Sequence, residues 1–94
     1  MPLFVRLVTT SDQGVRNIKQ SAAQLAEARK VMEVNRVKLL HAWTTLGPYD
    51  AVSVLEAPDA ATMAKVSALI AAQGNYRAIT MAAVPFEEFT KLVS

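Results

Sequence analysis

Ninety-four residues are enough for one hydrophobic core and too few for two, so the chain reads as one domain spanning residues 1–94. With 52% hydrophobic residues, three glycines and no cysteine it is neither disordered nor held by disulfides, and its lone histidine excludes the familiar zinc arrangements. The net charge of +2 divides as seven Lys/Arg against three Asp/Glu in residues 1–49 and three against five in residues 50–94, with no basic cluster for nucleic acid.

Residues 3–9 (LFVRLVT) are β-branched or large and apolar and run into the polar stretch 9–14, which predicts a strand followed by a turn. Ser21-Ala22-Ala23-Gln24 has the spacing of a capping box, with Ser21 accepting from the Gln24 N–H. From there Leu25, Ala28, Val31 and Met32 recur at helical intervals until Asn35. Residues 37–46 (VKLLHAWTTL) and 50–57 (DAVSVLEA) predict a hairpin around Gly47-Pro48-Tyr49-Asp50, in which Gly47 suits a positive φ and Asp50 bonds its own backbone. Asp59 is a good N-cap for a second helix bearing Met63, Val66, Leu69 and Ile70 on one side, and Gly74 stands where a left-handed residue would end it. Residues 76–84 (YRAITMAAV) predict the last strand. After Pro85, FEEFTKLV predicts a short helix with Phe86, Phe89 and Leu92 or Val93 as its buried side.

The order β-α-β-β-α-β predicts an α+β, ferredoxin-like fold: a four-stranded antiparallel sheet with both helices on one face. The second face of such a sheet normally meets water and alternates apolar with polar residues. Here it does not: Leu3, Val5 and Leu7 lie on one face of the first strand and Phe4 and Val8 on the other, with Arg6 the only charge. Both faces read as buried, which predicts a homodimer formed through the sheet faces.

The groups Asp12-Gln13-Gly14, Asn17-Ile18-Lys19 with Ser21, Leu46-Gly47-Pro48-Tyr49-Asp50, Glu56-Ala57-Pro58-Asp59 and Gly74-Asn75 with Arg77 resemble, in order and spacing, the GYD-domain family of small bacterial proteins. The chain departs from that pattern at Ala22, where proline is expected, and at Pro48. The resemblance implies the dimeric α+β barrel superfamily and no particular reaction.

Candidate site residues come from side-chain chemistry. His41 and Trp43 are two apart in one strand and share a face, where imidazole and indole can orient a flat substrate or simply pack in an interface. Tyr49, at the hairpin tip beside Asp50, has an apolar body and a hydroxyl that can close over a ligand. Asp12, Asn17 and Lys19 follow the first strand as a polar rim. Arg6 and Arg77, on neighbouring strands, can together hold a carboxylate or phosphate, or else such residues pair with an acid such as Glu56 or reach solvent. The reading is a homodimer binding a small aromatic or carboxylated molecule between sheet and helices, near His41, Trp43 and Tyr49. A cofactor-independent monooxygenase or isomerase, or a structural assembly protein, are the alternatives. No P-loop, dinucleotide-binding or metal-ligand motif is present, so no cofactor is expected. No leader or membrane-spanning pattern is expected, and the absence of cysteine suits a reducing, cytoplasmic setting.

Overall fold

The computed structural model describes residues 1–94. In chain order the elements are β1 (Leu3–Thr10), α1 (Asp12–Arg16), a 3-10 turn (Ile18–Gln20), α2 (Ser21–Val34), β2 (Lys38–Thr44), β3 (Ala51–Glu56), α3 (Ala60–Ala72), β4 (Tyr76–Ala83) and α4 (Phe86–Leu92). The strands form one antiparallel sheet in the order β2-β3-β1-β4, the arrangement expected of a ferredoxin-like fold.

Helix α3 begins and ends as its sequence demands. The Asp59 carboxylate accepts from the Thr62 N–H at 2.7 Å, and Gly74 past the last turn has φ +86°. The approach to α2 differs from the expectation in two ways. Residues 9–14 are not a simple turn: Ser11 caps α1 by accepting from the Gly14 N–H at 3.1 Å. Ser21 is not an N-cap; at φ −55°, ψ −38° it is already helical, and its hydroxyl donates to the Ile18 carbonyl. The physical reason is continuity, because the 3-10 turn feeds directly into α2 and leaves no free first turn for a side chain to cap.

Period-two alternation sorts β1 into two faces. Phe4, Arg6 and Val8 are buried beneath the helices; Leu3, Val5 and Leu7 point the other way. The core joins Phe4 and Leu55 of the sheet to Ala28 and Met32 of α2 and to Met63, Val66 and Ile70 of α3. The opposite face carries Val52 and Val54 beside Leu7 and Val5, with Ile79 and Met81 on β4. It is apolar, as the sequence requires, and no element of the chain covers it fully: Ile79 and Met81 are both exposed.

The terminal helix forms where expected, but its apolar side is not buried within the chain. Phe86 is 77% exposed, and Phe89, Leu92 and Val93 are exposed as well. Helix α4 extends beyond the end of β4 and makes little packing with the other elements, so the molecule measures 49 × 31 × 17 Å.

Candidate functional site

On the helix-bearing side of the sheet, beneath α1 and α2, lies a cavity of about 590 Å³, within the size range of small-molecule sites. Sequence makes the space. The floor on β2 and β3 is laid by Ala42, Ala51 and Ser53, too small to reach the overlying helix. The roof is apolar, with Leu25, Ala28 and Met32 of α2. Leu25 belongs to the helix's predicted buried stripe, yet it is 44% exposed because it overhangs this space instead of meeting the sheet.

Into this apolar surface projects one cation. Arg6 lies mid-strand between Phe4 and Val8, opposite Ser53 on β3 and Thr80 on β4, and is only 5% exposed. Its Nε is fully buried and has no hydrogen-bond partner, and no carboxylate pairs with it. Burial alone pushes the guanidinium below its ordinary pKa, although an arginine starts so high that it stays charged.

Two other polar groups at the cavity, Asp50 and Tyr76, are already engaged. The Asp50 carboxylate accepts from the Thr10 N–H at 2.7 Å, and the Asp50 N–H donates to the Val8 carbonyl at 2.8 Å, which ties the β2–β3 loop to the end of β1. This replaces the expected bond of Asp50 to its own loop. The Tyr76 hydroxyl donates to the buried Gln24 side chain at 2.6 Å, and the Gln24 amide donates to the Asn17 carbonyl at 3.2 Å. Thus Gln24 braces α2 against β4, where a capping role was expected of it.

The candidate residues do not converge. Asp50 lines the cavity. His41 and Trp43 do share a face and stack, with ring centroids 5.4 Å apart and planes at 12°. That face is the open one, since His41 sits across from Val54 and Trp43 across from Val52, away from Arg6 and Ser53. Trp43 borders the cavity along its strand, while its ring, by register, lies on the far side of the sheet. Tyr49, Asp12, Asn17 and Lys19 do not line the cavity. Arg77 lies across from Thr9 on the open face and Arg6 on the helix face, so they cannot grip one anion together. Glu56, across from Leu3, is also on the open face and does not pair with Arg6. Among the cavity residues that the sequence does not single out are Thr10, Leu25 and Tyr76, and it singles out Arg6 only as half of a pair. The signal for Arg6 was present, because period two places it on the Phe4 and Val8 face, where a lone charge has no reason to be unless something meets it.

No three His, Cys, Asp or Glu side chains come together as metal ligands. No helix is long and apolar enough to cross a membrane.

The family profile described as "GYD domain" matches residues 4–93. A relative from Thermus thermophilus, the glutamine synthetase and cystathionine beta-lyase binding protein, is 34% identical over 86 residues, covering 90% of each chain. Among solved structures, the solution structure of the C-terminal domain of the MgtC protein from Mycobacterium tuberculosis is similar with a TM-score of 0.51 over 87% of this chain and 86% of that one. At 15% identity it speaks for the fold alone.

Proposed function

We propose that this chain, which belongs to the GYD-domain family, is a homodimeric binding protein that holds a small, largely apolar molecule between its sheet and helices. The observation that carries the reading is the cavity of about 590 Å³, roofed by Leu25, Ala28 and Met32 and floored by small residues. An apolar space of this size beside a packed core is stabilising only when something fills it. A cytoplasmic protein of this kind would act by binding and releasing its ligand, not by turning it over.

The dimer is proposed from the open sheet face. Val5, Leu7, Val54, Ile79 and Met81, flanked by the His41–Trp43 stack, form a continuous apolar surface of the kind soluble monomers rarely leave in water. A two-fold contact between two such faces covers it and gives His41 and Trp43 an interface role.

A second reading rests on the Thermus relative, whose name describes binding to two enzymes. By analogy this chain would dock on a metabolic enzyme, with the cavity ligand setting when it does so.

The cavity reading is tested by titrating uniformly ¹⁵N-labelled protein with a neutral apolar probe, 1-octanol, and following backbone amide shifts. Saturable shifts in β1, β3 and α2, around Val8, Ser53 and Ala28, support it. Shifts confined to β2 and β4 residues of the open face, or none, overturn it.

A further inference from the structure

Resting on the cavity reading, we infer that the ligand is a monoanion, a carboxylate on an apolar body, and that Arg6 is the residue that receives its carboxylate.

A buried charge is ordinarily retained in a fold only with a counter-charge or a full set of hydrogen bonds, because desolvation disfavours it strongly otherwise. Arg6 has neither: it is 5% exposed, its Nε is buried without a partner, and it forms no ion pair. Nothing in the packing of β1 demands an arginine there. Its strand neighbours Phe4 and Val8 do the packing, and methionine would fill a similar length without a charge. An arginine placed this way is matched to an anion from outside the chain.

The rest of the lining selects which anion. Arg6 is the only Lys or Arg on the cavity, and one guanidinium neutralises a monoanion, whereas a phosphate dianion would keep a buried negative charge. The planar fork of arginine fits the two oxygens of a carboxylate, and the Ser53 hydroxyl on the adjacent strand can add a donor. Away from Arg6 the walls are Leu25, Ala28, Met32 and Leu39, which call for a hydrocarbon or aryl body. The one carboxylate on the cavity, Asp50, is at the far end. Its carboxylate is already bonded to the Thr10 N–H, four residues along β1 from Arg6, a backbone span of roughly 13 Å.

The test compares two carboxylates with their alcohols, octanoate against 1-octanol and 3-phenylpropanoate against 3-phenyl-1-propanol, by isothermal titration calorimetry at neutral pH. Wild type is expected to bind at least one acid more tightly than its alcohol, on the order of tenfold to a hundredfold, the range of a charge-assisted hydrogen-bonded pair. Whichever acid wins identifies an aliphatic or an aromatic body. Arg6→Met is expected to lose that preference, to bind the alcohols at least as well as wild type, and to melt at a higher temperature when unliganded. Arg6→Lys should keep part of the preference, so the inference remains testable if Arg6→Met does not fold. If wild type binds acids and alcohols equally, the anion assignment fails while the cavity reading stands. If it binds none of the four, both fail.

Discussion

Gly47 has φ +112°, and nothing lies within 4 Å of the position a Cβ would take. The demand at this position is therefore conformational, and Gly47→Val should lower stability by about 1–3 kcal/mol through backbone strain alone. Tyr49, whose carbonyl accepts from the Thr45 hydroxyl, contributes backbone to the same loop, and Tyr49→Phe should leave the melting temperature unchanged. Thermal denaturation of the two variants checks both. Gly14 obeys a different constraint. A Cβ there would overlap the Asn75 carbonyl oxygen and the Thr10 methyl, at the point where the Ser11 N–H donates to that same carbonyl at 3.0 Å. Because a backbone atom cannot rotate aside, Gly14→Ala should destabilise clearly despite adding a single methyl group. Of these demands, Gly47 was legible from its turn composition. Gly14 was not, because its constraint comes from Asn75, a residue distant in the chain.

Most of helix α3 is legible from local signals, Asp59, Met63, Val66, Ile70 and Gly74, but Leu69, expected on the same buried stripe, is exposed. The backbone N–H of Thr62 holds the Asp59 carboxyl below its usual pKa. The ionised form is therefore the stabilising one: its contribution is complete above the ordinary carboxylate pKa and is lost as the pH falls through the lower folded value. Asp59→Ala should lower the melting temperature at neutral pH, and the gap to wild type should close in acid, a pair of scans that checks the sign as well as the size. The entrance to α2 was misread because Ser21 and Gln24 have capping-box spacing while the preceding 3-10 turn takes the place the cap would need, and Gln24 is drawn instead to Tyr76 on β4. For α4 the apolar spacing was correct and its burial was not, because periodicity reports which side wants cover and not whether the same chain supplies it. Phe86→Ser with Phe89→Ser should therefore leave the secondary structure intact by circular dichroism while weakening self-association.

At the scale of the molecule, one sheet separates two apolar spaces, and the sequence sorts the β1 residues onto its two faces as the structure has them but leaves open which face His41 and Trp43 take. His41 and Trp43 have the chemistry of a ligand site, but a bulge between Leu39 and His41 adds a residue to β2 and sets which side each later side chain takes. Their register cannot be derived from the strand alone. The open face makes an assembly prediction: light scattering at low micromolar concentration should give about 20 kDa, twice the 10.2 kDa of one chain. Ile79→Asp, placing a charge on the β4 side of that face, should return it to the monomer mass. On the helix-side face, the proposed small molecule lies between sheet and helices with its carboxylate on Arg6. The most direct measurement is a crystal structure of the protein grown with octanoate. The carboxylate is expected within hydrogen-bonding distance of the Arg6 guanidinium, with the alkyl chain running past Leu25 and Met32. Octanoate bound instead against the His41–Trp43 stack, with the cavity beside Arg6 unfilled, would contradict that placement.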